Sequence, residues 1–281
     1  EDAANQATSL YSLINEKMNE VDDGDLDHRA IDNFKELGKI LSTWTSGKLP
    51  KLFGVLPGLE QWKEYIVYTN PGGWTPHAMY EAVCMFASNM NNTLAEVFYR
   101  DFFVPNVRAN IKRNDKLNIY LYNSLKKALF KPAGFFKGII FPLAESLTLK
   151  EANIIGSILK KCSIPVAHSA SAIMKLIELN GIEKISQGHF FFIKLLLSKR
   201  YALPTPVKSG IAKFLVKISK NPKYKGISLP VCYHQVLLVF AQTYKFDLSD
   251  EEKKELKELC KEHHHHVISE LVLKELNYKK N

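Results

Sequence analysis

Residues 148–166 read TLKEANIIGSILKKCSIPV, and this stretch contains the features that decide the fold class. Thr148 and Glu151 have the spacing of a capping box, in which the two side chains satisfy backbone N–H groups at a helix start. Apolar residues follow at helical spacing, namely Ala152, Ile155, Ile158 and Leu159. The helix is predicted to end before Pro165, because proline disfavours a helical conformation in the residue that precedes it. A capped amphipathic helix followed by a proline-marked break is therefore the predicted structural unit.

The same unit recurs along the chain. Thr75 and Thr205 each precede a proline, an arrangement typical of an N-cap residue followed by proline at the first helical position. Ser249 and Glu252 form a second capping box. Short proline-marked breaks separate predicted helices of about 10–16 residues, and no period-two alternation flanked by hairpin turns is visible. The sequence predicts an all-α fold, an irregular solenoid-like (HEAT-like) stack of helical hairpins without a clear repeat consensus.

The formal charge of +9 is unevenly distributed. Residues 1–36 contain ten acids and three bases, residues 37–246 contain 28 bases and ten acids, and residues 247–281 contain seven bases and nine acids. Within the basic middle, residues 184–246 carry eleven Lys or Arg and no Asp or Glu. Such a one-signed stretch indicates a polyanionic partner, since like charges on one surface repel each other. Nucleic acid, an anionic membrane surface and acids folding back from elsewhere in the chain are the three alternatives.

The charge change also predicts the domain organisation. We expect an acidic N-terminal helical segment over residues 1–45 and an all-helical domain over residues 46–281. The longest uncharged run, residues 226–244, is interrupted by Pro230 and is too polar to predict a membrane-spanning helix.

No catalytic or cofactor site is predicted. His168 and Ser169 are adjacent on a predicted helix, so their side chains point about 100° apart, and no strand–turn–helix elbow surrounds them. The run His263–His266 has two positions on one helix face but no neighbouring cysteine and no known ligand spacing. No glycine-rich loop carries the Lys and Ser/Thr that a nucleoside triphosphate site needs. We therefore expect neither catalysis, nor a metal ion, a cofactor or a small-molecule substrate.

The most distinctive candidate for binding is the lysine- and phenylalanine-rich stretch LKKALFKPAGFFKG at residues 125–138. Lysines contact phosphates and aromatic faces stack on unpaired bases, so this stretch predicts contact with RNA. Its candidate RNA-binding residues are Lys126, Lys127, Lys131 and Lys137. The alternative interpretation buries Phe130, Phe135 and Phe136 in the core and leaves only the lysines facing solvent.

Basic residues further along the chain extend the candidate surface. Two of them directly precede the sequence YALP, and three recur beside the apolar positions of one predicted helix. These additional candidates are Lys199, Arg200, Lys208, Lys213 and Lys217.

Several concatenated motifs resemble those of the bystin family. They are LFKPAGFFKG at residues 129–138, IGSI and KKCSIPV within 155–166, KRYALP at 199–204 and SGKLPK at 46–51. The resemblance covers roughly residues 45–244.

The resemblance implies a non-enzymatic, all-helical assembly factor of the small (40S) ribosomal subunit. Such a factor is implied to act on pre-18S rRNA in the nucleolus and nucleus and to persist on cytoplasmic pre-40S particles. Its implied partners are small-subunit ribosomal proteins of the head and beak and a low-temperature-viability-type export factor, with no membrane partner. A protein-interaction scaffold without direct RNA contact is the alternative function. The run His263–His266 departs from the family pattern and supports no functional transfer.

Overall fold

The computed structural model describes residues 28–183 and 185–278, and within these ranges the chain is helical without a strand. The chain divides into two compact units between Gly138 and Ile139. The all-α prediction is confirmed. The solenoid-like stacking stays a prediction, as does the boundary at residue 45, since residues 1–27 of the predicted acidic segment lie outside the described residues.

The first unit is built from short helical segments, most of which are joined by tight turns. Its helices are α1 (His28–Thr43), α2 (Lys51–Val55), α3 (Trp62–Tyr68), α4 (Pro76–Asn89), α5 (Asn92–Phe98), α6 (Val104–Asn114), α7 (Ile119–Ala128) and α8 (Pro132–Phe135). Its 3-10 turns are Leu56–Gly58 and Pro71–Gly73. The π-helical segment Tyr99–Phe103 continues α5 directly into α6, and a second π-helical segment spans Phe136–Ile140.

Helix α4 organises the core of the first unit. The Thr75 hydroxyl accepts a hydrogen bond from the Ala78 backbone N–H at 3.1 Å, which confirms Thr75 as the N-cap residue. The rings of Phe86 on α4 and Phe98 on α5 stack with centroids 4.0 Å apart, and both side chains are fully buried. Burying one such side chain contributes about 1.5–3 kcal/mol to the stability of the fold, so this aromatic contact helps to hold α5 against α4.

The second unit is built around a central apolar helix, α12 (Gln187–Leu197). Its helices are α9 (Phe141–Glu145), α10 (Leu149–Lys161), α11 (Val166–Asn180), α12 (Gln187–Leu197), α13 (Thr205–Ser219), α14 (Val231–Tyr244), α15 (Asp250–Glu262) and α16 (Ile268–Asn277), with a 3-10 turn at Pro222–Tyr224. Helix α12 packs against α9, α10, α11 and α14, and its Phe190, Phe192 and Ile193 are fully buried.

The helix starts of the second unit test the predicted caps. Both predicted capping boxes form, one between Thr148 and Glu151 and the other between Ser249 and Glu252, and these predictions are confirmed. The prediction that Thr205 is an N-cap is wrong. Thr205 is the first residue of α13, since the preceding proline has the extended conformation that the cap position requires (φ −58°, ψ 147°).

Candidate nucleic-acid interface

Helix α7 has one buried face and one face open to solvent. Its buried positions pack mainly against α4, and they are Leu121, Ser124, Leu125 and Ala128. Helical residues four apart share a face, so Tyr122 and Lys126 lie together on the outer side. The Nζ of Lys126 lies 4.8 Å from the centroid of the Tyr122 ring. This face therefore holds an ammonium group over an aromatic ring.

A second lysine–aromatic pair lies just beyond the end of α7. The backbone N–H of Phe130 donates to the Lys127 carbonyl oxygen at 3.0 Å, and this turn brings the two side chains together. The Lys127 Nζ lies 4.2 Å from the centroid of the Phe130 ring, and the Phe130 side chain is 70% exposed. We call the following residues the lysine–aromatic face: Tyr122, Lys126, Lys127, Phe130 and Lys131.

The remainder of the motif is packed inside the first unit. Phe135 and Phe136 are buried, so the interpretation of the phenylalanines as core residues holds for these two and is wrong for Phe130. A Cβ atom at Gly138 would come within 2.6 Å of the Glu96 carbonyl oxygen, so glycine is required for this close approach to α5. The buried half of the motif thus positions its exposed half.

Lys131 and Lys137 lie on either side of α8. Lys131 is partly exposed and has no ion-pair partner among the described residues. Lys137 is exposed, and its Nζ lies 3.8 Å from the Glu96 carboxylate. An exposed ion pair of this kind contributes about 0–1 kcal/mol and is screened by salt, so a phosphate can replace the carboxylate.

Lys199 is engaged within the second unit. Its Nζ donates to the backbone carbonyl oxygens of Lys160 at 3.2 Å and Cys162 at 2.5 Å, at the C-terminal end of α10. Carbonyl groups at a helix C-terminus lack intrahelical partners and carry the negative end of the helix dipole. In the same place the Ile164 N–H donates to the Tyr201 hydroxyl at 3.0 Å. Lys199 therefore caps α10, and Tyr201 braces the turn that follows it.

Arg200 differs from its neighbour in being exposed to solvent. Its φ of 55° lies in the left-handed region, which residues with a Cβ adopt at an energetic cost. It borders an open polar cleft of 490 Å³ together with Gln242 and Lys245. Lys245 is ion-paired with Glu275. Arg200 has no ion-pair partner in the described part of the chain, and its role in RNA contact stays a prediction.

Two basic residues of the α13 region meet acids from later in the chain. The Lys208 Nζ lies 3.1 Å from the Asp247 carboxylate, and its side chain is only 12% exposed. The Lys220 Nζ lies 3.1 Å from the Glu255 carboxylate on α15. At these two positions acids do fold back over the basic stretch.

Lys213 and Lys217 are exposed on α13. Burial tends to raise the pKa of Glu252, but hydrogen bonds from Ser209 and Ser249 and the nearby Lys213 hold that pKa below its ordinary value. Lys217 has no acidic partner among the residues that the structure describes. The α13 candidates therefore have different electrostatic surroundings, and their contact with RNA stays a prediction.

Of the histidine run that the sequence singles out, His263 is buried, whereas His264 and His266 are exposed. Both ring nitrogens of His263 lie near backbone carbonyl oxygens, 3.3 Å from that of Ile227 and 3.1 Å from that of Ser219. His168 is partly buried on α11, and the hydroxyl of Ser169 is buried without a hydrogen-bond partner in the described structure.

The described residues form neither a metal-binding cluster nor a membrane-spanning helix. Across residues 28–183 and 185–278, no three or more His, Cys, Asp or Glu side chains are grouped so as to hold a metal ion. Within the same ranges, no helix has both the length and the apolar character needed to cross a bilayer.

Tyr122 is a member of the face that sequence reasoning missed. Its spacing of four residues from Lys126 is a usable signal for an aromatic–lysine pair on a helix surface. No comparable local signal indicates that Phe130 is exposed, because its position depends on the turn beyond α7.

Comparison with known proteins places the chain in a family. The bystin family model matches residues 1–281. Bystin from Bos taurus is 42% identical over 253 residues, which are 89% of this chain and 56% of that protein. Bystin from Homo sapiens is 41% identical over the same shares of the two chains, and bystin from Dictyostelium discoideum is 40% identical over 88% of this chain and 51% of that protein.

The chain thus spans a little over half the length of these curated relatives. Their names denote no enzyme. Because the family model covers the whole chain and the identities are near 40%, the chain belongs to the bystin family.

Proposed function

We propose that this chain is a non-enzymatic assembly factor of the small (40S) ribosomal subunit that binds pre-18S rRNA through the lysine–aromatic face. Membership of the bystin family supports the proposal. The absence of an enzyme name among the relatives favours a binding role over a catalytic one.

The exposure of Phe130 beside Lys127 is the observation that supports the proposed contact with RNA. A phenyl ring left 70% exposed forgoes most of the stabilisation that its burial would provide. An exposed ring flanked by ammonium groups suits a single-stranded nucleic acid, since a base stacks on the ring while lysines neutralise the adjoining phosphates. Base–aromatic stacking contributes about 1–3 kcal/mol per base, so even one such ring affects affinity.

The proposed setting is a maturing ribosomal particle. We place the chain in the nucleolus and nucleus, and on cytoplasmic pre-40S particles. Its proposed protein partners are small-subunit ribosomal proteins of the head and beak and a low-temperature-viability-type export factor.

The test is the salt dependence of RNA binding. The variant Lys126→Glu/Lys127→Glu/Lys131→Glu is compared with the unaltered protein by anisotropy of a labelled single-stranded RNA over a range of salt concentrations. Each phosphate contact contributes about 0.7 to the slope of log affinity against log salt for single strands, so the slope should fall by about 2.

A matched control separates location from net charge. The variant Lys253→Glu/Lys254→Glu/Lys257→Glu changes the net charge equally but on the acid-rich helix α15. Its slope of log affinity against log salt should be closer to that of the unaltered protein than the slope of the first variant is. Equal slopes for all three proteins would refute RNA binding at the lysine–aromatic face.

A protein-interaction scaffold without RNA contact is the second candidate. It is favoured by the internal engagement of Lys199 and Lys208, which removes two cations from the predicted RNA surface. RNA crosslinking in cells distinguishes the two functions. An absence of crosslinks from residues 112–225 would favour the scaffold.

A further inference from the structure

The second unit contains an apolar groove that the RNA-binding proposal does not use. It has a volume of 460 Å³ and is bordered by α10, α12 and α14. Two aliphatic side chains at its borders are exposed, Leu149 by 84% and Val231 by 49%. Phe190, Phe191 and Cys232 contribute further to the lining. The groove therefore offers apolar surface from three helices to a ligand.

Lys194 is the one charged side chain among the described residues that line this groove. Its Nζ donates to the Gln235 side-chain oxygen at 2.8 Å and lies 5.9 Å from the centroid of the Phe191 ring. No carboxylate of the described residues pairs with it. Burial, and secondly the nearby Lys160, lower the pKa of Lys194. Charged groups taken out of water are normally paired with a group of opposite charge. The half-buried ammonium group of Lys194 has no such anion among the described residues, so a ligand can supply it.

The acidic residue nearest in the chain to the groove border is engaged elsewhere. The carboxylate of Glu151 accepts hydrogen bonds from the Thr148 backbone N–H and hydroxyl, both at 2.9 Å, as part of the capping box of α10.

The wall of the groove is tightly packed. A Cβ atom at Gly156 would come within 3.0 Å of the Phe191 ring, so α10 and α12 approach closely and hold that ring in place.

We propose that this groove is the docking site for a short amphipathic helix of a partner protein, whose apolar face covers Leu149 and Val231 and whose Asp or Glu pairs with Lys194. The mainly apolar lining suits aliphatic side chains better than a phosphate backbone. The single unpaired cation fixes the register, because only one position along the bound helix brings a carboxylate to it. Docking at this groove does not depend on RNA binding at the lysine–aromatic face.

Site-specific photocrosslinking in the complete protein, within its native assemblies, tests the occupant. A photoreactive residue replaces Val231, and a control replaces Leu271, which is exposed on α16 and lies outside the groove. We expect position 231 to crosslink to a protein segment that mass spectrometry identifies as an amphipathic helix with an acidic residue. Crosslinks to RNA, or no protein crosslink above the control, would overturn the proposal.

A charge exchange then tests the role of Lys194. The mapped segment is synthesised as a peptide, and we expect Lys194→Met to weaken its binding about tenfold and Lys194→Glu to weaken it further. Replacing the acidic residue of the peptide with lysine should restore binding to Lys194→Glu. Failure of this restoration would overturn the proposed pairing.

Thermal unfolding of the Lys194→Met variant supplies the structural control. Because the substitution removes the desolvation cost of a half-buried charge together with its hydrogen bond to Gln235, the unfolding temperature of the variant should lie close to that of the unaltered protein. A large drop in its unfolding temperature would assign Lys194 to stability instead of partner binding and would also overturn the proposal.

Discussion

The Nζ of Lys199 donates a hydrogen bond to the carbonyl oxygen of Lys160 at 3.2 Å, although 39 residues separate the two in the chain. Two lysines of the basic middle of the chain, residues 37–246, are therefore joined through a backbone acceptor. Lys160 remains exposed, whereas Lys199 is partly buried and caps α10. Of these two lysines, Lys199 has a structural role and Lys160 remains open to solvent.

Replacing Lys199 with Met is expected to lower the free energy of unfolding by about 1.5–3 kcal/mol, because hydrogen bonds from a charged group to two helix-end carbonyls are lost. Urea unfolding measures the change. Lys217→Met serves as the control, since it removes an exposed lysine on α13 and should change stability by less than about 0.5 kcal/mol. Equal stabilities for the two variants would contradict a capping role for Lys199.

Phe130→Ala should leave the stability nearly unchanged and reduce affinity for single-stranded RNA about tenfold, since an exposed ring contributes little to the core but can stack on a base. Anisotropy and urea unfolding measure the two effects. Phe135→Ala, in the same motif but fully buried, should instead destabilise the protein by about 3–5 kcal/mol. Unchanged RNA affinity in Phe130→Ala would count against the stacking role.

Gly138→Ala should destabilise the first unit by about 1–3 kcal/mol, because its new methyl group would lie 2.6 Å from the Glu96 carbonyl oxygen and force α5 away. Gly54→Ala is the matched control on α2. Its Cβ would meet nothing within 4 Å, and alanine is favoured over glycine in a helix by about 0.5–1 kcal/mol. In thermal unfolding, the unfolding temperature should therefore fall for Gly138→Ala and rise for Gly54→Ala.

Acid is expected to destabilise the second unit through His234. Burial, and secondly the neighbouring His265 and His263, lower the pKa of His234 to about 4 from its ordinary 6.5. A histidine with a depressed pKa in the folded state favours folding while it is neutral. Its contribution is therefore present above pH 6.5 and is lost as the pH falls towards 4. The ring of His234 also lies 5.2 Å from that of His265, so the two imidazoles are close neighbours.

Unfolding free energies measured at pH 7 and pH 4 check this expectation. The unaltered protein should lose on the order of 2–3 kcal/mol more stability over this range than His234→Gln, which carries no titrating group at that position. Identical pH dependence in the two proteins would show that His234 does not contribute to the acid sensitivity.

Much of the secondary structure is predictable from local sequence signals. The capping boxes at Thr148 and Ser249 and the N-cap at Thr75 occur where their sequences predict them, because each requires only residues within one turn. The cap predicted at Thr205 is wrong by one residue, because Pro204 has the extended cap conformation and Thr205 is the first helical residue. Local rules thus identify a helix start but not always its first residue.

The candidate site is less predictable than the helices. The motif LFKPAGFFKG places three phenylalanines within seven residues, and no local rule distinguishes the exposed Phe130 from the buried Phe135. The distinction arises from the packing of α8 against α5 and from the close approach to α5 that Gly138 permits in the π-helical segment after α8. Burial is a property of the assembled core and not of residue type.

The sequence by itself determined the helical class, most of the breaks between helices and the family, because caps, prolines, apolar spacing and concatenated motifs each occupy a short stretch of chain. The breaks predicted at Pro105 and Pro142 are wrong, since helical backbone continues through both positions. Only the tertiary structure decided which cations face solvent. Lys208 pairs with Asp247, Lys199 caps the end of α10, and Lys194 lies in an apolar groove, bonded to Gln235 but without an acidic partner among the described residues. The physical reason is that a side chain's electrostatic surroundings depend on residues some 40 positions away, which are brought near only when the helices pack.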